Sequence, residues 1–223
     1  MRRYVSIFNE KAISASEVKA NKNLCLDIYK DSVSVIIILY DKSKIGFKND
    51  EIKFADDCIY IYGEMKRDRK TPFKCWQTSR TAASAGYGAF LYDTMLSMAG
   101  DDGLIPDRVS VSKAAKKVWE YYFTVRKNEF DLFKLDDQSK PATPDKKDDT
   151  RIHYPNSPYN RRHYIDYRYI WKNFQAHLSS IKPLLDNHKK FISKVEAKGI
   201  DLERFLKDLY DEGDGFFNVK YYS

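Results

Sequence analysis

The run Val33-Ser34-Val35-Ile36-Ile37-Ile38-Leu39 does most to narrow the folds open to this chain. β-Branched residues stand at nearly every position, without the apolar/polar alternation of a strand that keeps one face in water. Such a run suits a central strand covered on both faces, so a sheet with packed layers on either side is expected. It is far shorter than the ~20 apolar residues of a membrane-spanning helix, and no membrane partner is expected. A second strand is predicted over Asp57 to Met65, centred on Cys58-Ile59-Tyr60-Ile61-Tyr62. Phe73 to Thr78 alternates apolar and polar residues, the period of a half-buried third strand.

That third strand feeds a loop. In Thr78-Ser79-Arg80-Thr81-Ala82-Ala83-Ser84-Ala85-Gly86-Tyr87-Gly88-Ala89-Phe90-Leu91-Tyr92, small residues and two glycines separate the strand from an apolar helix. A side-chain-poor loop opening a helix leaves backbone N–H groups at the positive end of the helix dipole, a common way to hold a phosphate. The competing reading is that the glycines only let the loop pack closely on a neighbour, and for two glycines alone it ranks first.

Around this centre the remaining elements follow from pattern. Arg3 to Phe8 is a short strand candidate, and Ser14 or Ser16 caps a brief helix through Ala20. Asp41 to Asp50 carries turn residues, and Lys66 to Lys70, closed by Pro72, reads as a hairpin tip. Phe90, Leu91, Met95 and Met98 predict a helix over Ala89 to Ala99 that stops at Gly100. Leu104 to Val109 holds a short strand interrupted by Pro106, and Ser110 or Ser112 caps a helix from Lys113 to about Arg126. Phe130 to Leu135 is expected to be a closing strand.

Residues 136–152, with Pro141, Pro144 and many Asp and Lys residues, form a charged linker between a domain over 1–135 and a helical extension over 153–223. In the extension, Tyr164 to about Leu185 reads as a helix stopped or kinked near Pro183. A second helical region runs from Asn187 to Tyr210, divided near Gly199, and Gly213-Asp214-Gly215 opens an aromatic tail. Between His153 and Lys172, arginines interleave with tyrosines and Trp171, a composition that suits nucleic acid. A packed face of Tyr164, Tyr167 and Trp171 is the favoured alternative.

The formal charge of +7, from 39 basic against 32 acidic residues, allows an anionic partner without requiring one. Cys25, Cys58 and Cys75 are widely spaced beside apolar or aromatic residues and read as buried thiols of a reducing, cytoplasmic compartment. No zinc-site spacing joins them to His153, His163, His177 or His188, so no metal is expected.

The order strand, glycine loop, helix, short strand, capped helix resembles the GCN5-related N-acetyltransferase (GNAT) superfamily over roughly residues 30–135. Ala83-Ser84-Ala85-Gly86-Tyr87-Gly88 falls on that family's Gln/Arg-x-x-Gly-x-Gly/Ala signature, keeping both glycines and lacking the leading residue. Ser112-Lys113-Ala114-Ala115-Lys116-Lys117-Val118-Trp119 falls on Asn-x-x-Ala-x-x-x-Tyr, with serine for asparagine and tryptophan for tyrosine. The pattern is most similar to divergent acetyltransferase-like proteins of bacteriophage genomes, which would act in the host cytoplasm.

The resemblance implies an α+β fold, a mixed but mostly antiparallel sheet flanked by helices, and acyl transfer from acetyl-coenzyme A to an amine. It implies a pyrophosphate cradle at Ala85, Gly86, Tyr87, Gly88 and Ala89, with Thr78, Ser79, Arg80, Ser84 and Ser112 around the donor. It also implies a pantetheine arm between the Thr78 strand and a Leu104 strand that splays from it. Because Trp119 stands where the family keeps its acid, Tyr121 or Tyr122 is the candidate acid, with packing the alternative. Glu64 and Asp107 are candidate bases, with solvent-facing carboxylates the alternative. A chain that keeps this fold without the chemistry, and binds a host protein or nucleic acid through its basic aromatic segment, is the rival expectation.

Overall fold

The computed structural model describes residues 13–48, 51–67, 75–107, 112–134 and 167–222. The strand at Arg3 to Phe8, the hairpin tip near Lys70, the linker and the loop at Tyr154 to Tyr159 lie outside them.

Among the described residues, seven strands form one sheet: β1 (Leu24–Lys30), β2 (Ser34–Asp41), β5 (Ile59–Lys66), β6 (Trp76–Ala83), β7 (Leu104–Ile105), β8 (Phe130–Lys134) and β9 (Tyr167–Trp171). Their spatial order is β1-β2-β5-β6-β7-β9-β8. Every pairing is antiparallel except β6 with β7. A separate hairpin, β3 (Ile45–Lys48) with β4 (Glu51–Phe54), hangs beside the sheet. The helices are α1 (Ala15–Ala20), α2 (Gly88–Ala99), α3 (Lys113–Thr124), α4 (Phe174–Ala197) and α5 (Leu202–Tyr222). The molecule is therefore a mixed α+β structure with a mostly antiparallel sheet.

The β-branched run forms β2, and both of its faces are covered as the composition requires. Val35, Ile37 and Leu39 face a core with Ile61, Met65, Leu91, Met95 and Trp119. Ile38 and Tyr40 face a second core with Tyr62, Ala82, Phe191, Phe205 and Phe217. The first layer is built by α2, α3 and the start of α4, the second by the end of α4 and by α5. Within α2, Phe90, Leu91, Met95 and Leu96 are buried, each stabilising the fold by about 1.5–3 kcal/mol relative to exposure.

Several elements depart from the sequence pattern. The third strand is Trp76–Ala83 rather than Phe73 to Thr78, so residues expected in the loop lie in the ladder with β5. Backbone pairing carries this stretch of small side chains. Tyr167–Trp171 is strand β9, not the start of a helix. Its aromatic spacing fits either period, and insertion between β7 and β8 decides it, burying Tyr169 and Trp171. Pro183 lies inside α4 without ending it. It is exposed, so the carbonyl four residues back that loses its donor faces water. The Gly213-Asp214-Gly215 segment is helical, within α5.

Candidate functional site

β6 and β7 run parallel for only two residue pairs, Trp76 with Leu104 and Gln77 with Ile105. β7 then ends at Pro106, which has no N–H to continue a ladder, while β6 runs on to Ala83. The register of β6 against β5 jumps from Met65–Thr78 to Glu64–Arg80, leaving Ser79 as an extra residue. A bulge of this kind bends and twists its strand, and it falls where β6 leaves β7. Among the described residues, the stretch of β6 from Arg80 to Ala83 is paired with β5 and not with β7.

Polar groups gather beside the end of β7. The Asp107 N–H donates to Thr78 Oγ1 at 2.8 Å, and Gln77 Nε2 donates to Asp107 Oδ1 at 3.5 Å. The Tyr92 hydroxyl lies 3.2 Å from Thr81 Oγ1. Burial pushes the Tyr92 phenol up to about 12, with the nearby Asp107 adding to the shift.

At the far end of β6 the chain turns through Ser84 to Tyr87 into α2. Ser84 N–H donates to the Tyr60 carbonyl at 2.7 Å, Tyr87 N–H to Ser84 O at 3.0 Å, and Ile13 N–H to Gly86 O at 3.1 Å. Gly86 sits at φ 84°, a conformation glycine adopts without steric cost. Tyr87 is the N-cap and supplies no side-chain hydrogen bond. The first helical hydrogen bond at this end is Leu91 N–H to Tyr87 O, at 3.1 Å. The N–H groups of Gly88, Ala89 and Phe90 precede it and have no acceptor within the helix. The Tyr87 ring packs 4.9 Å from Tyr60, whose hydroxyl receives Lys44 Nζ at 3.2 Å. Lys44, also paired with Asp57 at 2.6 Å, brings a cation to this rim.

The remaining predicted residues divide clearly. Ser112 accepts the Ala115 N–H at 3.2 Å and caps α3. Arg80 and Glu64 point to the opposite face of the sheet from α2. There Arg80 is bonded to Asp214 of α5, lies 3.7 Å from Glu64 and covers the Phe217 ring. Lys66 also holds Glu64, at 3.0 Å. Neither group reaches the glycine loop.

Tyr122 is fully buried and donates to Asp93 Oδ1 at 2.7 Å. Arg126 meets the same oxygen at 2.7 Å and clasps Glu129 with two further bonds. Tyr121 is exposed on the outer side of α3. Trp119 is sealed, its ring 4.9 Å from Tyr169 and edge-on to Tyr92 at 5.5 Å.

Thus Thr78 and Asp107 meet beside the end of β7 and the Ser84 to Ala89 loop lies at the other end of β6, while Arg80, Glu64, Tyr121 and Tyr122 are turned away from both. Tyr92, Thr81 and Lys44 join the site without having been singled out by sequence. Their only signal was polarity at positions near the loop, and the facing partner across the sheet gives it meaning.

No family model, curated protein or solved structure matches this chain. Among the described residues no helix is long and apolar enough to cross a membrane, and no cluster of His, Cys, Asp or Glu is arranged to hold a metal ion.

Proposed function

We propose that the chain binds an acyl-coenzyme A and transfers its acyl group to an amine, as a divergent member of the GNAT superfamily. The observation that carries this reading is the parallel β6/β7 pair, two residue pairs long among the described residues, on a strand that leads into a glycine-bearing helix start whose N-cap supplies no side-chain bond. The pantetheine arm lies along β6 past the end of β7. The pyrophosphate meets the N–H groups of Gly88 to Phe90, gaining about 0.3–2 kcal/mol from the helix dipole as well as charge-assisted hydrogen bonds. Lys44 adds positive charge at the rim. The motif residues from Ala83 to Gly88 and the cap at Ser112 support the same reading from sequence.

Calorimetry with coenzyme A and acetyl-coenzyme A tests it. Saturable binding is expected, and lost when Gly88 is replaced by Val in a protein that still melts cooperatively. An absence of binding at millimolar ligand sinks the reading.

A second reading is favoured by Trp119 and Tyr122. Both side chains are fully buried and engaged in packing or in the Asp93 network, which leaves neither available as an acid. A chain that keeps the fold, binds the donor and serves as an interaction protein fits that observation. Binding of acetyl-coenzyme A without acyl transfer to any of a panel of small amines, polylysine and spermidine would favour it.

A further inference from the structure

Among the described residues β8 is the outermost strand of the sheet, beyond β9. A cleft of about 540 Å³ lies beside it, lined in part by Lys127, Phe130, Leu132, Phe133 and Lys172. That is room for a small molecule or a few residues of peptide. The register tells which backbone groups of β8 face away from β9. Lys172 N–H donates to the Glu129 carbonyl at 3.0 Å, and the same register continues through Phe130 opposite Trp171 to Phe133 opposite Arg168. Directly opposed residues of an antiparallel pair alternate between bonded and non-bonded. Asp131 and Phe133 therefore commit their N–H and C=O groups to β9, while Phe130 and Leu132 turn theirs away from it. Phe130 N–H closes the preceding turn on the Lys127 carbonyl. The Phe130 carbonyl and both backbone groups of Leu132 are left directed outward, at the spacing one strand presents to the next, and both residues line the cleft.

The side chains around the cleft select a sign of charge. At one end Lys172 Nζ lies 3.4 Å from Asp131 Oδ1 and donates to the Asn128 carbonyl at 3.2 Å, and Lys127 is exposed beside it. Glu129 is already clasped by Arg126, so two lysines stand there against the Asp131 carboxylate. At the other end the exposed Phe133 ring lies under the Arg168 guanidinium, 4.8 Å from its centroid. Lysines at the edge of a sheet discourage neutral and basic strands and admit an acidic one. We propose that the β8 edge is a docking site for an acidic peptide in extended conformation, which adds a strand to the sheet. Peptide N–H groups donate to the Phe130 and Leu132 carbonyls, and a peptide carbonyl accepts from Leu132 N–H. Carboxylate side chains of the peptide meet Lys127 and Lys172, and an apolar side chain further along covers the Phe133 ring. A small carboxylic acid would match the cations but not the row of backbone groups. The site is independent of the acyl-coenzyme A reading.

Fluorescence anisotropy of the full chain with a fluorescein-labelled peptide of alternating glutamate and valine tests the proposal. Saturable binding is expected below millimolar peptide, and the same peptide with lysine for glutamate should bind at least about tenfold more weakly. Two further peptides carry N-methyl groups, one on every glutamate amide and one on every valine amide. Only alternate amides of an added strand face β8, so one of the two should lose about tenfold in affinity and the other should not. The double variant Lys127→Glu with Lys172→Glu should weaken the glutamate peptide by about tenfold or more. No saturable binding of the unmethylated peptide at millimolar concentration overturns the docking site. Equal affinity of the two methylated peptides overturns strand addition, and equal affinity of the glutamate and lysine peptides overturns the acidic preference. Affinity unchanged by the double variant places the peptide elsewhere and overturns the proposal. Should that variant fail to fold, the four peptides decide the matter on the wild type.

Discussion

Asp93, Tyr122, Arg126 and Glu129 show how far one side chain's role depends on its surroundings. Burial lifts the Asp93 carboxyl above its usual range, although Arg126 and the Tyr122 hydroxyl oppose the shift. Arg126 also lies over the rings of Tyr122, Phe130 and Trp171, at 4.8, 5.8 and 5.4 Å from their centroids. Tyr122→Phe removes one buried donor and is expected to cost about 1–2 kcal/mol in urea unfolding, with coenzyme A binding unchanged. Arg126→Met strands the Asp93 charge and should cost about 3–5 kcal/mol.

His177 gives a pH dependence. Burial, then the charges of Lys19 and Arg126, pull its imidazole from 6.5 down to about 4. Thr94 Oγ1 donates to the Phe90 carbonyl and so accepts from His177 Nε2 at 3.3 Å, which assigns the proton to that nitrogen. The unfolded chain takes up a proton near pH 6.5 that the folded chain resists until about pH 4. Stability therefore falls across that window as pH drops, by on the order of 3 kcal/mol in all, and no further below it. Urea titrations at pH 7, 5 and 4 should show the decline, and His177→Gln should flatten this part of it.

Elements were legible wherever their signals were local. Ser14 caps α1, Ser112 caps α3, and Gly100 ends α2 at φ 55°. β1 carried no such signal. Its Leu24-Cys25-Leu26-Asp27-Ile28 pattern includes a carboxylate that reads as a break, yet Asp27 is buried and satisfied by helices distant in sequence. Tyr210 of α5 donates to Asp27 Oδ2 at 2.8 Å, and His188 of α4 places Nε2 3.3 Å from Oδ1. The other nitrogen of His188, Nδ1, meets the Tyr40 hydroxyl at 3.0 Å. Burial holds the His188 imidazole below its ordinary value, so the network binds two helices to β1 and β2 through a neutral ring. Tyr210→Phe should loosen α5 selectively, seen as faster hydrogen exchange over Leu202–Tyr222 while α2 and β5 stay protected. Gly213 acts in the same place by absence. A Cβ there would stand 2.7 Å from Tyr62 Cδ2 and 3.1 Å from Ile38 Cδ1, so the helix rests on the sheet only because that position is bare.

At the scale of the whole molecule, the decisive feature is the return of the chain after the charged stretch to supply β9 between β7 and β8. Residues 1–135 contain six of the strands of the main sheet but lack the one that joins β8 to the rest. A fragment ending at 135 is therefore expected to show no cooperative thermal transition, and addition of residues 153–223 in trans to restore one. The rest of the sheet order follows from hairpin connections and one crossover, but the placing of β9 carries no local signal.

By itself the amino-acid sequence determined the β-branched strand that must be covered on both faces, the capped helices, and the glycine turn before α2. Each of these depends on residues within a few positions of one another, where backbone preference and periodicity act. Tertiary structure decided that Thr78 to Ala83 is strand, that Tyr167–Trp171 is strand, and that Tyr122 is locked inside against Asp93. In each case the competing local conformations are close in free energy. Burial against residues far along the chain, worth several kcal/mol, chooses between them.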